Sequence, residues 1–395
     1  MFSRRVPPEL TANRLAREIA GMLAAGREII DLTQSNPTRA AFDYPSDLLA
    51  KLADARALAY DPLPFGLEEA RAAVARDYGR SGIDIDPSRI ALTSSTSEAY
   101  SLLFKLLADA GDAVLVPRPS YPLFEHLAGL DLVEIRQYDL EYHGVWTIDP
   151  AALKRHLTDR TRAILIVSPN NPTGSIMTAD ELDAVCAICR ARDIALIADE
   201  VFIDYLLTPA HAQAWARVAA RDDVLGFSLG GLSKSVGLPQ AKLGWIAITG
   251  PEAVRNTAVD RLELICDTYL SVSTPVQIAA SDLLERGRVV RAQIQDRIRT
   301  NYSWLQSASR GTACTTLNAD GGWSAVLQVP SIESEEDLVV GLLRNDGILV
   351  HPGYFFDFPR PAFLVVSLLT PAPAFVEGVT RILRHFDCST AIRHD

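Results

Sequence analysis

From Arg89 to Thr249 the chain alternates short, β-branched or apolar runs with helical patterns, and this alternation restricts the fold more than any other feature. Strands are expected at Arg89–Thr93, Ala113–Val116, Leu132–Gln137, Ala163–Val167, Ala195–Ala198, Val224–Leu229 and Gly244–Thr249, with helices such as Ser97–Ala110 and Ala179–Ala191 between them. Strands separated by helices read as a mostly parallel sheet covered on both faces, an α/β layered domain. After Pro275 the pattern changes. A long charged helix over Val276–Ala308 precedes a strand at Trp323–Val329, and helix and strand then alternate through Ser334–Asn345, Ile348–His351, Phe363–Leu369 and Ala374–Phe386. That is a second, smaller α+β domain. No Gly/Ser linker separates the two, so the long helix is expected to fix their interface.

Composition narrows the function. The 49 acidic and 38 basic residues leave a net charge of −11, with no basic block, which argues against sequence-independent nucleic-acid binding. The 5 cysteines (Cys186, Cys189, Cys266, Cys314 and Cys388) are scattered, unlike a disulfide scaffold, and point to a reducing cytoplasm. Cys186 and Cys189 sit one turn apart in an apolar helical stretch and read as core residues. Nothing points to a metal. No signal core follows the N-terminus and no apolar run approaches the ~18 residues of a membrane span, so a soluble protein is expected.

The chemistry concentrates in three segments after predicted strands, where open α/β sheets bind their ligands. In SLGGLSKSVGLPQAKLGW, Lys234 stands among Gly230, Gly231, Ser233 and Gly237, a compact setting that suits a lysine nucleophile. Upstream lie SPNNPTG, with Asn171, and ADEVF, with Asp199 and Phe202. Each alone has a plain structural reading: a loop lysine, a turn asparagine before proline, and for Tyr121 in PSYP a core aromatic. Ser95, Thr96 and Ser97 open a helix whose free amides and dipole favour an anion, although a simple N-cap accounts for the hydroxyls equally well.

NNPTG, DEV and SK in this order resemble the class I/II aminotransferases, the fold-type I pyridoxal-phosphate enzymes. The resemblance extends over nearly the whole chain, from IDLTQSNPT through the Tyr60–Gly66 segment, TSSTSEA and PSYP to HPGYFFDF. It implies pyridoxal 5′-phosphate as cofactor and an amino group passed between an amino acid or amine and a keto acid. It implies roles too. Lys234 makes the Schiff base and shuttles the proton, Asp199 pairs with the pyridine nitrogen, Asn171 bonds the phenolate oxygen and Tyr121 stacks on the ring. Ser95, Thr96, Ser97, Ser233 and Lys242 fall around the phosphate, and Tyr60 matches a tyrosine that reaches the phosphate of a neighbouring subunit, implying a homodimer with shared sites. The resemblance divides the chain into an N-terminal arm and part of the small domain (1–45), a large cofactor domain (46–280) and a small C-terminal domain (281–395).

Four positions depart from the family pattern. An arginine eight residues after the lysine is replaced by Lys242, and a serine three before it by Gly231. The tyrosine of DEVY is Phe202, which removes a donor to the phenolate and implies a raised Schiff-base pKa. The arginine that clamps the substrate carboxylate is Val365. A valine cannot hold a carboxylate, so Asn36, Arg39 and Arg360 become the candidates for substrate binding. A lyase, decarboxylase or racemase on the same scaffold is the alternative reading. A ligand-sensing regulator, the third, is disfavoured by the absence of a basic stretch.

Overall fold

A computed structural model describes residues 2–7, 11–208 and 215–391, the last four by backbone alone. Eight strands form the larger sheet: β1 (Ile90–Thr93), β2 (Ala113–Arg118), β3 (Glu134–Tyr142), β4 (Trp146–Ile148), β5 (Thr161–Val167), β6 (Ala195–Asp199), β7 (Gly226–Gly231) and β8 (Gly244–Thr249). Their order is β1-β8-β7-β6-β5-β2-β3-β4. The five central strands β7, β6, β5, β2 and β3 pair in parallel, while β8 runs antiparallel to both β7 and β1. β1 therefore shares the direction of β7, and both end at the same sheet edge.

The continuous apolar runs are explained by burial on both faces. Every residue of β1, β6, β7 and β8 is buried. Along β6, Ala195 and Ile197 face the core beneath helices Thr96–Leu107 and Glu252–Tyr269, whereas Leu196 and Ala198 face that beneath Ala179–Arg192. Such two-residue alternation buries β6 against helices on both faces up to its last residue. Cys186 and Cys189 belong to the second core, where burial pushes their thiols up to about 11 and about 12. They are core residues, as the sequence suggests.

The smaller sheet joins β9 (Thr315–Thr316), β10 (Ser324–Gln328), β11 (His351–Pro352) and β12 (Phe363–Ser367) in the order β9-β10-β12-β11, all antiparallel. A short parallel ladder, Ile30–Asp31 with Ile348–Leu349, ties the N-terminal segment to it. One expectation needs correction: Val276–Ala308 is two helices, Thr274–Arg286 and Arg288–Ala308, meeting at Gly287. A Cβ there would lie 2.5 Å from the Leu283 carbonyl oxygen and 2.6 Å from Val236 Cβ, so the chain turns where only glycine fits against the segment after Lys234. Among the described residues no helix is long and apolar enough to cross a membrane.

Candidate active site

The edge at which β1, β5, β6 and β7 end collects the functional side chains. β7 runs into a one-turn helix, Leu232–Ser235, that carries Ser233 and Lys234. The amine of Lys234 lies 4.9 Å from the Trp323 ring centroid and 5.5 Å from that of Phe202. Burial pushes it down to about 8, against the pull of Asp199. An amine so desolvated spends part of the neutral range uncharged, which is the form that attacks a carbonyl.

Asp199 ends β6 in register with Val167 and Leu229. The alternation along β6 turns its side chain to the face of helix Thr96–Leu107, where the Tyr100 hydroxyl donates to Oδ2 at 2.7 Å, and the Val201 amide donates to Oδ1 at 3.1 Å. Burial raises its pKa. Burial of part of Tyr121, 36% exposed, raises its phenol, and the nearby Asp199 charge adds to the rise.

The turn after β5 brings in the small domain. Gly174 has φ +71°, and a Cβ there would meet Ala319 Cβ and the Gly321 oxygen at 2.6 Å. Its carbonyl accepts from the amides of Asp320 and Gly321, both at 2.9 Å. This docking delivers Trp323 to Lys234 and Ser324 to Asn171, whose Oδ1 accepts from Ser324 Oγ at 3.3 Å.

At the other end of the site, Ser95 caps helix Thr96–Leu107 by accepting from the Glu98 amide at 3.2 Å. The first-turn amides of Thr96 and Ser97 have no helical carbonyl to meet, so this end favours an anion. Gly244 pairs with both Thr93 and Gly231, which places exposed Lys242, two residues earlier, at the same edge. A Cβ on Gly231 would lie 3.2 Å from Gly244 Cα and the Leu243 oxygen. The close approach of these strands accounts for glycine where a serine was expected.

Not every candidate joins the cluster. Arg360 is exposed and lines a separate cavity of about 270 Å³ with Tyr142, Trp146 and Phe358. Arg39 is exposed on the short turn Pro37–Arg39, and Asn36 caps that turn by accepting from the Thr38 amide and hydroxyl at 3.0 and 2.7 Å. Tyr60 is 76% exposed. Val365 is 1% exposed among Val326, Phe356, Phe358 and Phe363. Sequence reasoning missed Tyr100 and Trp323. The only available signals were a tyrosine one turn into the anion-favouring helix and an aromatic just after Gly321-Gly322.

These residues fit a cofactor that carries an aldehyde, a ring nitrogen and an anionic tail. A desolvated amine, a buried carboxylate with acceptor capacity left over and a free helix N-terminus stand along one sheet edge. The family model "Aminotransferase class I and II" matches residues 27–374. The chain is 29% identical to an alanine aminotransferase of Mycobacterium tuberculosis, over 92% of this chain and 86% of that protein. It is 26% identical to the glutamate-pyruvate aminotransferase AlaA of Escherichia coli K12, over 93% and 91%. A solved alanine aminotransferase from Pyrococcus furiosus superimposes with a TM-score of 0.87 at 22% identity, covering 98% of this chain and 99% of that one.

Proposed function

The chain belongs to the class I and II aminotransferase family, enzymes that move an amino group between an amino acid and a keto acid, and we propose that it does so with pyridoxal 5′-phosphate held at Lys234. The observation that carries this reading is the desolvated amine of Lys234 at the same edge as the buried carboxylate of Asp199. When bound, the cofactor supplies an aldehyde to take up the amino group and a protonated pyridine ring that spreads charge from the substrate Cα.

The chain's own residues do the rest. Lys234 anchors the aldehyde carbon and, once displaced, carries the proton from Cα, a task suited to an amine titrating at about 8. Asp199 holds the proton on the ring nitrogen. Asn171 holds the phenolate oxygen, and Tyr121 covers one ring face. Ser95, Thr96, Ser97, Ser233 and Lys242 hold the phosphate, Lys242 as a point charge rather than a bidentate fork. Residues 46–280 form the cofactor-holding body, and 1–45 with 281–395 the smaller domain. The bare Leu58 and Tyr60 side chains, 93% and 76% exposed, support a homodimer in which Tyr60 completes the partner's phosphate site. The four cysteines among the residues with described side chains are free and buried, which supports a reducing cytoplasm.

Val365 gives a lyase, decarboxylase or racemase reading its one specific support, because the usual carboxylate clamp helps set which substrate bond breaks. A half-reaction screen decides between the two readings. Yellow holoenzyme mixed singly with amino acids and amines is expected to bleach to the pyridoxamine form, releasing the matching keto acid or carbonyl compound, and Lys234→Ala should abolish turnover. Release of carbon dioxide or pyruvate without that conversion would favour the alternative.

A further inference from the structure

Position 100 belongs to none of the motifs that mark this family in the sequence, yet its side chain makes the shortest hydrogen bond to Asp199. The Tyr100 hydroxyl donates to Oδ2 at 2.7 Å, and both residues are buried. Burial opposes the ionised carboxylate, and three features oppose burial: the Tyr100 hydroxyl, the Val201 amide and the Lys234 charge. The charge is the one that does not last, since Lys234 gives up its ammonium form when it anchors a carbonyl. Tyr100 is constant. Burial and the Asp199 charge hold its phenol well above the ordinary tyrosine range, so it stays a protonated donor throughout the neutral region.

We propose that Tyr100 is a positioning residue that keeps Asp199 ionised and aims it at the cofactor's ring nitrogen. This rests on the reading of Lys234 and Asp199 given above. Each carboxylate oxygen accepts about two hydrogen bonds. With Tyr100 on Oδ2 and Val201 on Oδ1, one site on each oxygen is left for the ring N–H, and the carboxylate plane is fixed from two sides. The tyrosine is itself immobile. Its ring stands edge-on to Phe124 at 5.3 Å and lies beside Phe104 at 6.2 Å. Losing the hydroxyl would raise the proton affinity of Asp199, draw the shared proton off the ring nitrogen and weaken the electron sink.

The test uses holoenzyme whose cofactor carries an isotope-labelled ring nitrogen, read by NMR. Tyr100→Phe keeps the ring in its packing and removes only the donor. Its nitrogen signal is expected to move toward the unprotonated position, with kcat down about tenfold or more, KM little changed and the unfolding midpoint near that of the parent. An unmoved signal with parental kcat would overturn the proposal. The parent offers a second measurement that needs no variant: its signal should stay in the protonated range as pH rises through the range in which the bound cofactor's absorbance changes. A signal that moves to the unprotonated position there would show that a titrating group, not Tyr100, sustains Asp199, and would equally overturn it. Asp199→Asn separates the two levels of argument. If it leaves the signal in place, the reading of Asp199 fails and Tyr100 with it; if it moves the signal while Tyr100→Phe does not, only the role of Tyr100 fails.

Discussion

Phe202 shows what one missing oxygen does at this site. Its ring packs edge-on to Trp323 at 5.3 Å, with the Lys234 amine 5.5 Å from its centroid, so the position is aromatic and close to the reacting amine but offers no hydrogen bond. A donor to the cofactor's phenolate oxygen would favour the deprotonated bound form. Phe202→Tyr should therefore lower the pH at which the holoenzyme's visible absorbance changes. A hydrogen bond to a charged group is worth about 1.5–3 kcal/mol, and each pH unit corresponds to about 1.4 kcal/mol, so a fall of about one to two units is expected. A spectrophotometric titration decides it, and a midpoint equal to the parent's or above it would refute the argument. At this scale the sequence was informative wherever chemistry demands one residue type, as at Lys234, Asp199 and Asn171. Tyr100 and Trp323 were illegible because many side chains could fill those places, and only the register of β6 and the docking of Gly174 bring them to the site.

Among the elements, β12 carries Val365, the position that the proposed function singles out for substrate choice. Its Leu364 and Val366 face the core under helix Ala372–Ala391, while Val365 lies on the opposite face. Antiparallel pairing sets Val326 and His351 on either side of Val365, and Leu317 lies beyond Val326. Burial pushes the His351 imidazole down to about 4, so it is uncharged at neutral pH. The row that holds Val365 is thus uncharged, three of its four members apolar. Val365→Arg should fail to restore a clamp. An uncompensated charge there is expected to cost about 3–5 kcal/mol, seen as a lower denaturant midpoint, without a lower KM for any amino donor. Tighter binding at parental stability would show instead that the strand face is open. Most strands were readable because burial on both faces leaves a continuous apolar run, which survives without any knowledge of neighbours. The break at Gly287 was not, because its cause is the approach of Val236, a residue 51 positions earlier in the chain.

At the scale of the whole molecule, the proposed homodimer would complete each site with the partner's Tyr60. Leu58, Tyr60, Leu264 and Tyr269 are 93%, 76%, 71% and 53% exposed, more large apolar surface than isolated exposed side chains on a monomer require. A C2 dimer that buries the Leu58–Tyr60 segment would also carry the Tyr60 hydroxyl to the partner's phosphate end, where Gly231 supplies no hydroxyl. Two measurements follow from this geometry. Sedimentation should give twice the monomer mass of 43.1 kDa, and Tyr60→Phe should leave that mass unchanged while weakening cofactor retention about tenfold, the loss of one hydrogen bond to an anion. Mixed dimers make the sharing itself visible. When Tyr60→Phe chains are re-associated with Lys234→Ala chains, each hybrid contains one site with a native lysine from the first chain and a native tyrosine from the second. That site should retain cofactor as the parent does. A monomer at micromolar concentration, or hybrids that lose cofactor as readily as Tyr60→Phe alone, would mean that each chain completes its own site and that the exposed surface serves another purpose.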